Sequence, residues 1–225
     1  MPAIVEMRLR PSRPLEPTTR QLHGLACAVF EGTYSASHVG QDKQFTIWPL
    51  NPDPDGWLLR AAWLPPGLPH SVLAVCGQLR IGSVTCAVTD LAFRPAFHTD
   101  LASGPPLTEA QLTFRSPTYF TQNGTHVVLP DPRLIAGSWR RRWNASLPGQ
   151  DPLTITDDQW RDLHQTGFTG TATLRLDKNT PTAIHQAFGT LTRFAEFSGT
   201  GAQTTHGFGA TSILTTRDQP PKDVH

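Results

Sequence analysis

Near its C-terminus the chain places four glycines within twelve residues, as two Gly-x-Gly pairs, in Ser198-Gly199-Thr200-Gly201 through His206-Gly207-Phe208-Gly209. The segment follows an amphipathic helical stretch and precedes a short β-like run, Thr211 to Thr215. That order excludes a nucleotide phosphate loop, which needs a strand before it and a helix after it so that the helix N-terminus faces the phosphate. Helix, glycines and then strand call instead for a place where backbone approaches something closely, with no Cβ in the way. A nucleic-acid backbone is one such partner. A tight helix C-cap leading into a bulged strand needs no ligand and is the alternative.

The remaining elements follow from periodicity and caps. Ala3 to Leu9 alternates and reads as a strand. Thr18 and Gln21 have capping-box spacing, and Leu22, Leu25, Ala26, Val29 and Phe30 then recur on one helical face, up to Gly32. Phe45 to Trp48 and Trp57 to Trp63 read as strands around a turn over Asn51 to Gly56. A short helix is expected over Pro69 to Val75 and a single strand over Leu79 to Ala92. This is the βαββαβ order of a ferredoxin-like unit.

Ser103-Gly104-Pro105-Pro106 is the best boundary. Beyond it, 111–114 and 126–129 look extended. Asp131 caps a helix with Pro132 at its first position and Ile135, Trp139 and Trp143 on its buried side. Thr156 to Gln159 is a second capping box, and Gly170 to Leu176 alternates. The last helix starts at Thr180-Pro181 and buries Ile184, Phe188, Leu191, Phe194 and Ala195. The predicted fold class is α+β: tandem ferredoxin-like (RRM-like) βαββαβ units, the second with a helical insertion. The N-terminal unit is expected at 1–103, the C-terminal one at 107–216, and a flexible tail at 217–225.

At 225 residues the chain has room for one large domain or two of roughly 100 residues each. A 38% apolar, 16% charged composition fits a packed core rather than disorder. The net charge of +1 argues against indiscriminate coating of nucleic acid, though a local basic groove is compatible with it. Three cysteines, Cys27, Cys76 and Cys86, show no metal spacing and read as small buried apolar residues in a reducing cytoplasm. The charged N-terminus is no signal peptide, no run of about 18 apolar residues crosses a membrane, and the histidines form no ligand pair. No metal and no cofactor is implied.

Three segments in register carry a resemblance: His38-Val39-Gly40-Gln41-Asp42-Lys43-Gln44-Phe45-Thr46-Ile47-Trp48-Pro49-Leu50, Phe114-Arg115-Ser116-Pro117-Thr118-Tyr119-Phe120, and Gly167-Phe168-Thr169-Gly170 with Leu191 through Gly209. Together they resemble the CRISPR-associated endoribonucleases that cut the repeat transcript, the Cas "six" family of the RAMP superfamily. The resemblance implies two ferredoxin-like units with RNA along the cleft. It also implies metal-free cleavage of CRISPR repeat RNA by the neighbouring 2′-hydroxyl, leaving a 2′,3′-cyclic phosphate or 3′-phosphate and a 5′-hydroxyl. Implied partners are the pre-crRNA or crRNA, Cascade-like complex subunits and a homodimer, with no membrane. The alternative is a RAMP subunit that holds crRNA without cutting it.

Such chemistry needs a base for the 2′-hydroxyl, an acid for the leaving oxygen and positive charge for the phosphorane; histidine suits either proton role. By the resemblance His38, just past the first helix, is the first catalytic candidate and His23 on that helix the second. Read locally, His38 is a loop histidine and His23 a half-buried one. Lys43 would stabilise charge, and Tyr34 would hydrogen-bond near the scissile group. Phe30 stands where some relatives carry a tyrosine, which moves weight to the histidines. Arg133, Arg140, Arg141 and Arg142 form a basic ridge suited to phosphate, or else a solvated helix face. In the glycine segment Gly199, Gly201, Gly207 and Gly209 would meet RNA. Gln203 replaces the family's frequent lysine, leaving His206 or Arg193 to compensate.

Overall fold

The computed structural model describes residues 2–31, 43–67, 69, 71–72, 77–147, 153, 160–165, 169–177 and 179–218. The N-terminal half runs β1 (Ala3–Pro11), α1 (Thr19–Glu31), β2 (Phe45–Ile47), β3 (Asn51–Asp53), β4 (Gly56–Trp63), β5 (Gln78–Ile81) and β6 (Val84–Pro95). Its sheet has the order β2-β4-β1-β6-β5, with β3 paired to β4, and its pairings are antiparallel. A short helix, α2 (His98–Ser103), leads to the C-terminal half.

That half runs β7 (Leu107–Phe114), β8 (Phe120–Gln122), β9 (Thr125–Val127), α3 (Pro132–Ser146), β10 (Trp160–Gln165), β11 (Gly170–Leu176), α4 (Thr182–Ser198), a 3-10 turn (Thr204–His206) and β12 (Thr211–Asp218). The sheet order is β10-β11-β7-β12. With β3 and β5 set aside, both sheets place their strands in the order second, third, first, fourth. The two halves are therefore the same ferredoxin-like arrangement in tandem.

Local chemistry explains the element boundaries. Thr18 N–H donates to Gln21 Oε1 at 2.9 Å and Gln21 N–H to Thr18 Oγ1 at 3.3 Å, a reciprocal capping box that starts α1. Asp131 accepts from Arg133 N–H at 2.7 Å, with Pro132 opening α3. Three stretches differ from their sequence reading. Residues 79–92 form a hairpin rather than one strand, because Gly82, at φ +60°, turns β5 back into β6. Among the described residues the piece added to the second unit is the β8–β9 hairpin, and α3 is that unit's own first helix. The last strand reaches Asp218, two residues into the expected tail, with Arg217 and Asp218 still paired to β7. The expected capping box at 156–159 and most of the expected helix at 69–75 lie outside the described residues.

β1 organises both cores because successive side chains of a strand point to opposite faces. Val5, Met7 and Leu9 face α1 and pack with Leu22, Leu25, Val29, Phe30, Phe45 and Ile47. Ile4, with Ala62 and Leu64, faces the other way and joins the second core around Trp139, Phe188, Leu191 and Phe194. The seam between the halves is thus closed by apolar packing as well as by chain connection.

Polar groups inside that second core run in one direction. Trp139 Nε1–H donates to Thr200 Oγ1 at 2.8 Å. Thr211 Oγ1 donates to the Gly209 carbonyl at 2.9 Å, so the 2.7 Å contact between the Thr200 and Thr211 hydroxyls is donated by Thr200. Trp139, Thr200 and Thr211 are fully buried, so each link replaces water. Thr200→Val keeps the shape but leaves the Trp139 N–H without its acceptor, and should destabilise the fold by about 1–3 kcal/mol in denaturant unfolding. Unchanged stability would mean the relay holds nothing.

The linker is clamped from α4. Arg193 Nε donates to the Leu101 carbonyl at 2.8 Å and Nη1 to the Pro105 carbonyl at 2.9 Å. Gly189, one turn earlier, leaves the room: a Cβ there would lie 2.8 Å from the Pro105 carbonyl oxygen and 3.1 Å from Arg193 Nη1. Beside this clamp His98 is buried edge-on against Trp143, ring centroids 5.2 Å apart, with Nε2 3.3 Å from Ser146 Oγ. Burial pushes the His98 imidazole down to about 4, from an ordinary 6.5. A folded-state value below the unfolded one means that acid favours unfolding. His98 therefore contributes stability that is complete above pH 6.5 and is lost as pH falls towards 4, up to about 3 kcal/mol. His98→Gln should flatten the dependence of melting temperature on pH in that window. Parallel curves for the two proteins would refute the assignment.

Candidate functional site

Where α3, the glycine segment and the start of β2 meet, the surface forms a cleft of about 400 Å³. Ser138, Arg141, Arg142 and Ala145 line it from α3; their i, i+3, i+4, i+7 spacing puts them on one helical stripe. Gly201, Ala202, Gln203, Thr205 and His206 line it from the glycine segment, and Lys43 and Gln44 from the chain entering β2. No carboxylate is among these lining residues.

The glycine segment is bound into the protein more fully than its sequence suggests. Gly199 caps α4, its N–H donating to the Ala195 carbonyl at 2.9 Å. Thr200 N–H donates to Gly209 O, Gly201 N–H to Ser138 Oγ, Ala202 N–H to Tyr119 O and Gly209 N–H to Pro117 O. Side chains at Gly201 and Gly209 would collide with the Tyr119 and Thr200 carbonyls, and both glycines sit at positive φ, 85° and 66°. The close approach that Gly199, Gly201 and Gly209 permit is therefore backbone against backbone of the same chain, and Gly201 also lines the cleft. Gly207 has open space on the side a Cβ would occupy, with nothing nearer than Pro49 N at 3.8 Å.

What the segment presents is side chains. Gln203, held in the left-handed conformation at φ 52°, is exposed on the rim. His206 lies against His23, ring centroids 4.0 Å apart and planes within 3°. His23 Nδ1 is 2.9 Å from the Thr205 carbonyl, an acceptor only, so a neutral His23 carries its proton on Nδ1 and keeps a lone pair on Nε2. Nε2 lies 3.5 Å from Cys27 Sγ. Burial, aided by Glu31, raises the Cys27 thiol to about 11, so it stays protonated and donates. The half-buried His23 stands behind His206, which is the imidazole on the cleft wall.

Other expected residues fall into two groups. Lys43 reaches the cleft, but its ammonium is already held by both Glu31 oxygens at 2.8 Å in a pair whose side chains are each 9% exposed. Arg141 and Arg142 line the cleft; Arg133, exposed, and Arg140 do not. Arg193 is spent on the linker carbonyls rather than on the glycine segment. His38 and Tyr34 lie outside the described residues. Sequence reading missed Glu31, twelve positions from its lysine with no local signal, and Ser138, which the spacing from Arg141 and Arg142 would have found.

Burial, and then the neighbouring His23, hold His206 below the ordinary imidazole range. Replacing His23 by Asn should raise the His206 titration midpoint, measured by NMR of the ring protons, part of the way back, since desolvation remains. A midpoint that does not move would show that the stacked rings are not coupled.

The family model for the CRISPR-associated endoribonuclease Cas6 matches residues 112–211. The CRISPR-associated endoribonucleases Cas6 of two Mycobacterium tuberculosis strains, CDC 1551 / Oshkosh and ATCC 25618 / H37Rv, are 28% identical over 127 residues. That match covers 48% of this chain and 40% of the length of those relatives. Among solved structures, Thermus thermophilus Cas6 (TTHB231) superposes with a TM-score of 0.71 at 27% identity, covering 95% of this chain and 98% of that one. A Cas6 (TTHB231) product complex gives 0.77 at 28%, covering 95% and 99%. A Cas6 (TTHA0078) product complex shares the fold, with a TM-score of 0.76 at 23% identity and coverage of 95% and 99%.

Proposed function

We propose that this chain, which belongs to the CRISPR-associated Cas6 family, is an endoribonuclease that cuts CRISPR repeat RNA to release mature crRNA. The observation that carries the reading is a cleft with two arginines on one wall and His206, backed by the stacked His23, on the other, with no carboxylate among its described lining residues. An RNA backbone needs cations for its phosphates, and its cleavage needs proton carriers near neutrality; the cleft offers both.

The reaction requires no group beyond side chains. A base removes the 2′-hydroxyl proton and the oxygen attacks the adjacent phosphorus. Arg141 and Arg142 offset the charge gathering on the phosphorane. The 5′-oxygen then leaves with a proton from the acid. The products are a 2′,3′-cyclic phosphate, which can open to a 3′-phosphate, and a 5′-hydroxyl. His38 and His23 share the two proton roles, with the Nδ1–H···O=C bond to Thr205 fixing the His23 tautomer. On this reading the enzyme acts in the cytoplasm, alone or as a homodimer, and passes its product to a Cascade-like complex.

The test is incubation with labelled repeat RNA from the same genome in excess EDTA. One cut leaving a cyclic phosphate is expected. His38→Ala with His23→Ala should slow it at least ~100-fold while leaving the Kd for the RNA unchanged. Wild-type binding without any cut would favour a RAMP subunit that only holds crRNA. Neither binding nor cutting would overturn the reading.

A further inference from the structure

Three clefts lie side by side along the seam between the two halves. The basic cleft shares His206 with a second one of about 300 Å³, which contacts α1, the turn before β3 and the glycine segment. The second shares Pro49 with a third of about 480 Å³, lined by Trp48, Arg60 and Arg115. The outer two carry cations; in the third, the Arg60 guanidinium lies 4.2 Å from the Trp48 ring centroid while Nε donates to Glu6 at 2.6 Å. The middle cleft is different. Leu22, Leu50, Trp57, Pro117 and Phe208 form its walls, His206 closes it towards the arginines, and among the described residues no Asp, Glu, Lys or Arg lines it.

We infer that this middle cleft is a nucleobase subsite that takes one unpaired base of the bound RNA. The inference rests on the endoribonuclease reading, because it is that reading that lays RNA over the neighbouring arginines. A polynucleotide alternates anionic phosphates with flat, largely apolar bases. A cation-lined, then apolar, then cation-lined sequence of clefts has the same alternation. A phosphate gains nothing among Leu22, Leu50 and Trp57, and would lose its hydration there. A base gains by stacking on ring faces, and Trp57, Phe208 and His206 supply them, Trp57 and Phe208 being half-exposed at present. A base paired within a helix has both faces covered by its neighbours, so the occupant is a nucleotide splayed out of any stem. His206, common to both clefts, then touches the base on one side and the phosphate path on the other. Gly207 next to it lines the same cleft.

The experiment is a coupling measurement with repeat RNAs made uncleavable by a 2′-deoxy sugar at the cut and carrying a single abasic nucleotide at each position in turn. For the wild-type protein one abasic position should weaken binding by about 5- to 100-fold, the worth of a stacked base. Trp57→Leu should weaken binding of the intact RNA to a similar extent. Combining Trp57→Leu with that abasic RNA should cost no more than either alone. Phe208→Ala, on a different element, should behave the same way, and Trp57→Phe should restore most of the affinity.

The inference is overturned if no abasic position matters, or if the abasic and Trp57→Leu losses multiply. It is also overturned if Trp57→Leu leaves RNA binding intact while abolishing binding of a protein partner. Coupling in a protein that never cuts would keep the subsite and sink the endonuclease reading. Normal cutting without coupling would do the reverse. A protein that binds no repeat RNA would sink both.

Discussion

A one-way relay of buried hydrogen bonds, from Trp139 through Thr200 and Thr211 to the Gly209 carbonyl, fixes both ends of the glycine segment to the middle of α3. Each hydroxyl gives one bond and receives one, so the relay tolerates burial. With its ends fixed, the segment folds on itself tightly enough to need glycine where its own carbonyls approach. The Thr205 carbonyl then meets His23 and the His206 ring lies flat on that histidine. The arrangement of the imidazoles is thus set by an indole nitrogen on another element.

Charge is handled differently on the two walls of the basic cleft. Near the histidines, Lys43 is neutralised by Glu31, and the protonated Cys27 thiol fills the gap between that carboxylate and His23. A bare ammonium beside the stacked rings would have disfavoured protonating either of them. The positive charge on the cleft comes instead from α3, where Arg141 and Arg142 line the opposite wall.

The parts legible in the sequence were those written in local chemistry. The capping box at Thr18 and Gln21, the Asp131-Pro132 start of α3 and the apolar stripe of α4 each rest on residues within a few positions of one another, and the tandem ferredoxin-like order followed from them. Elements whose signal is short or non-local were harder. The hairpin at Gly82 is one residue's conformation inside a run with uniform β character. The four-arginine ridge reads as one face, yet about 100° per residue turns Arg133 and Arg140 away from the stripe that carries Arg141 and Arg142. Glycine spacing announces a close approach without saying of what, and here the answer was the chain's own carbonyls. The Glu31–Lys43 pair and the Arg193 clamp are tertiary and left no trace in spacing.

The Arg193 clamp has a consequence for how the seam meets a ligand. A guanidinium that bonds two linker carbonyls from within α4, with glycine cut away to admit it, leaves little play between the halves, and the Thr46 hydroxyl bonded to the Phe197 carbonyl at 2.7 Å locks the same joint from the other side. The groove along that joint has its width before anything enters it. A strand that fits loses none of its binding free energy to closing the protein, and one that does not fit finds no second shape to adopt. If the groove is where RNA binds, as proposed, its sequences should separate by how long they stay rather than by how fast they arrive.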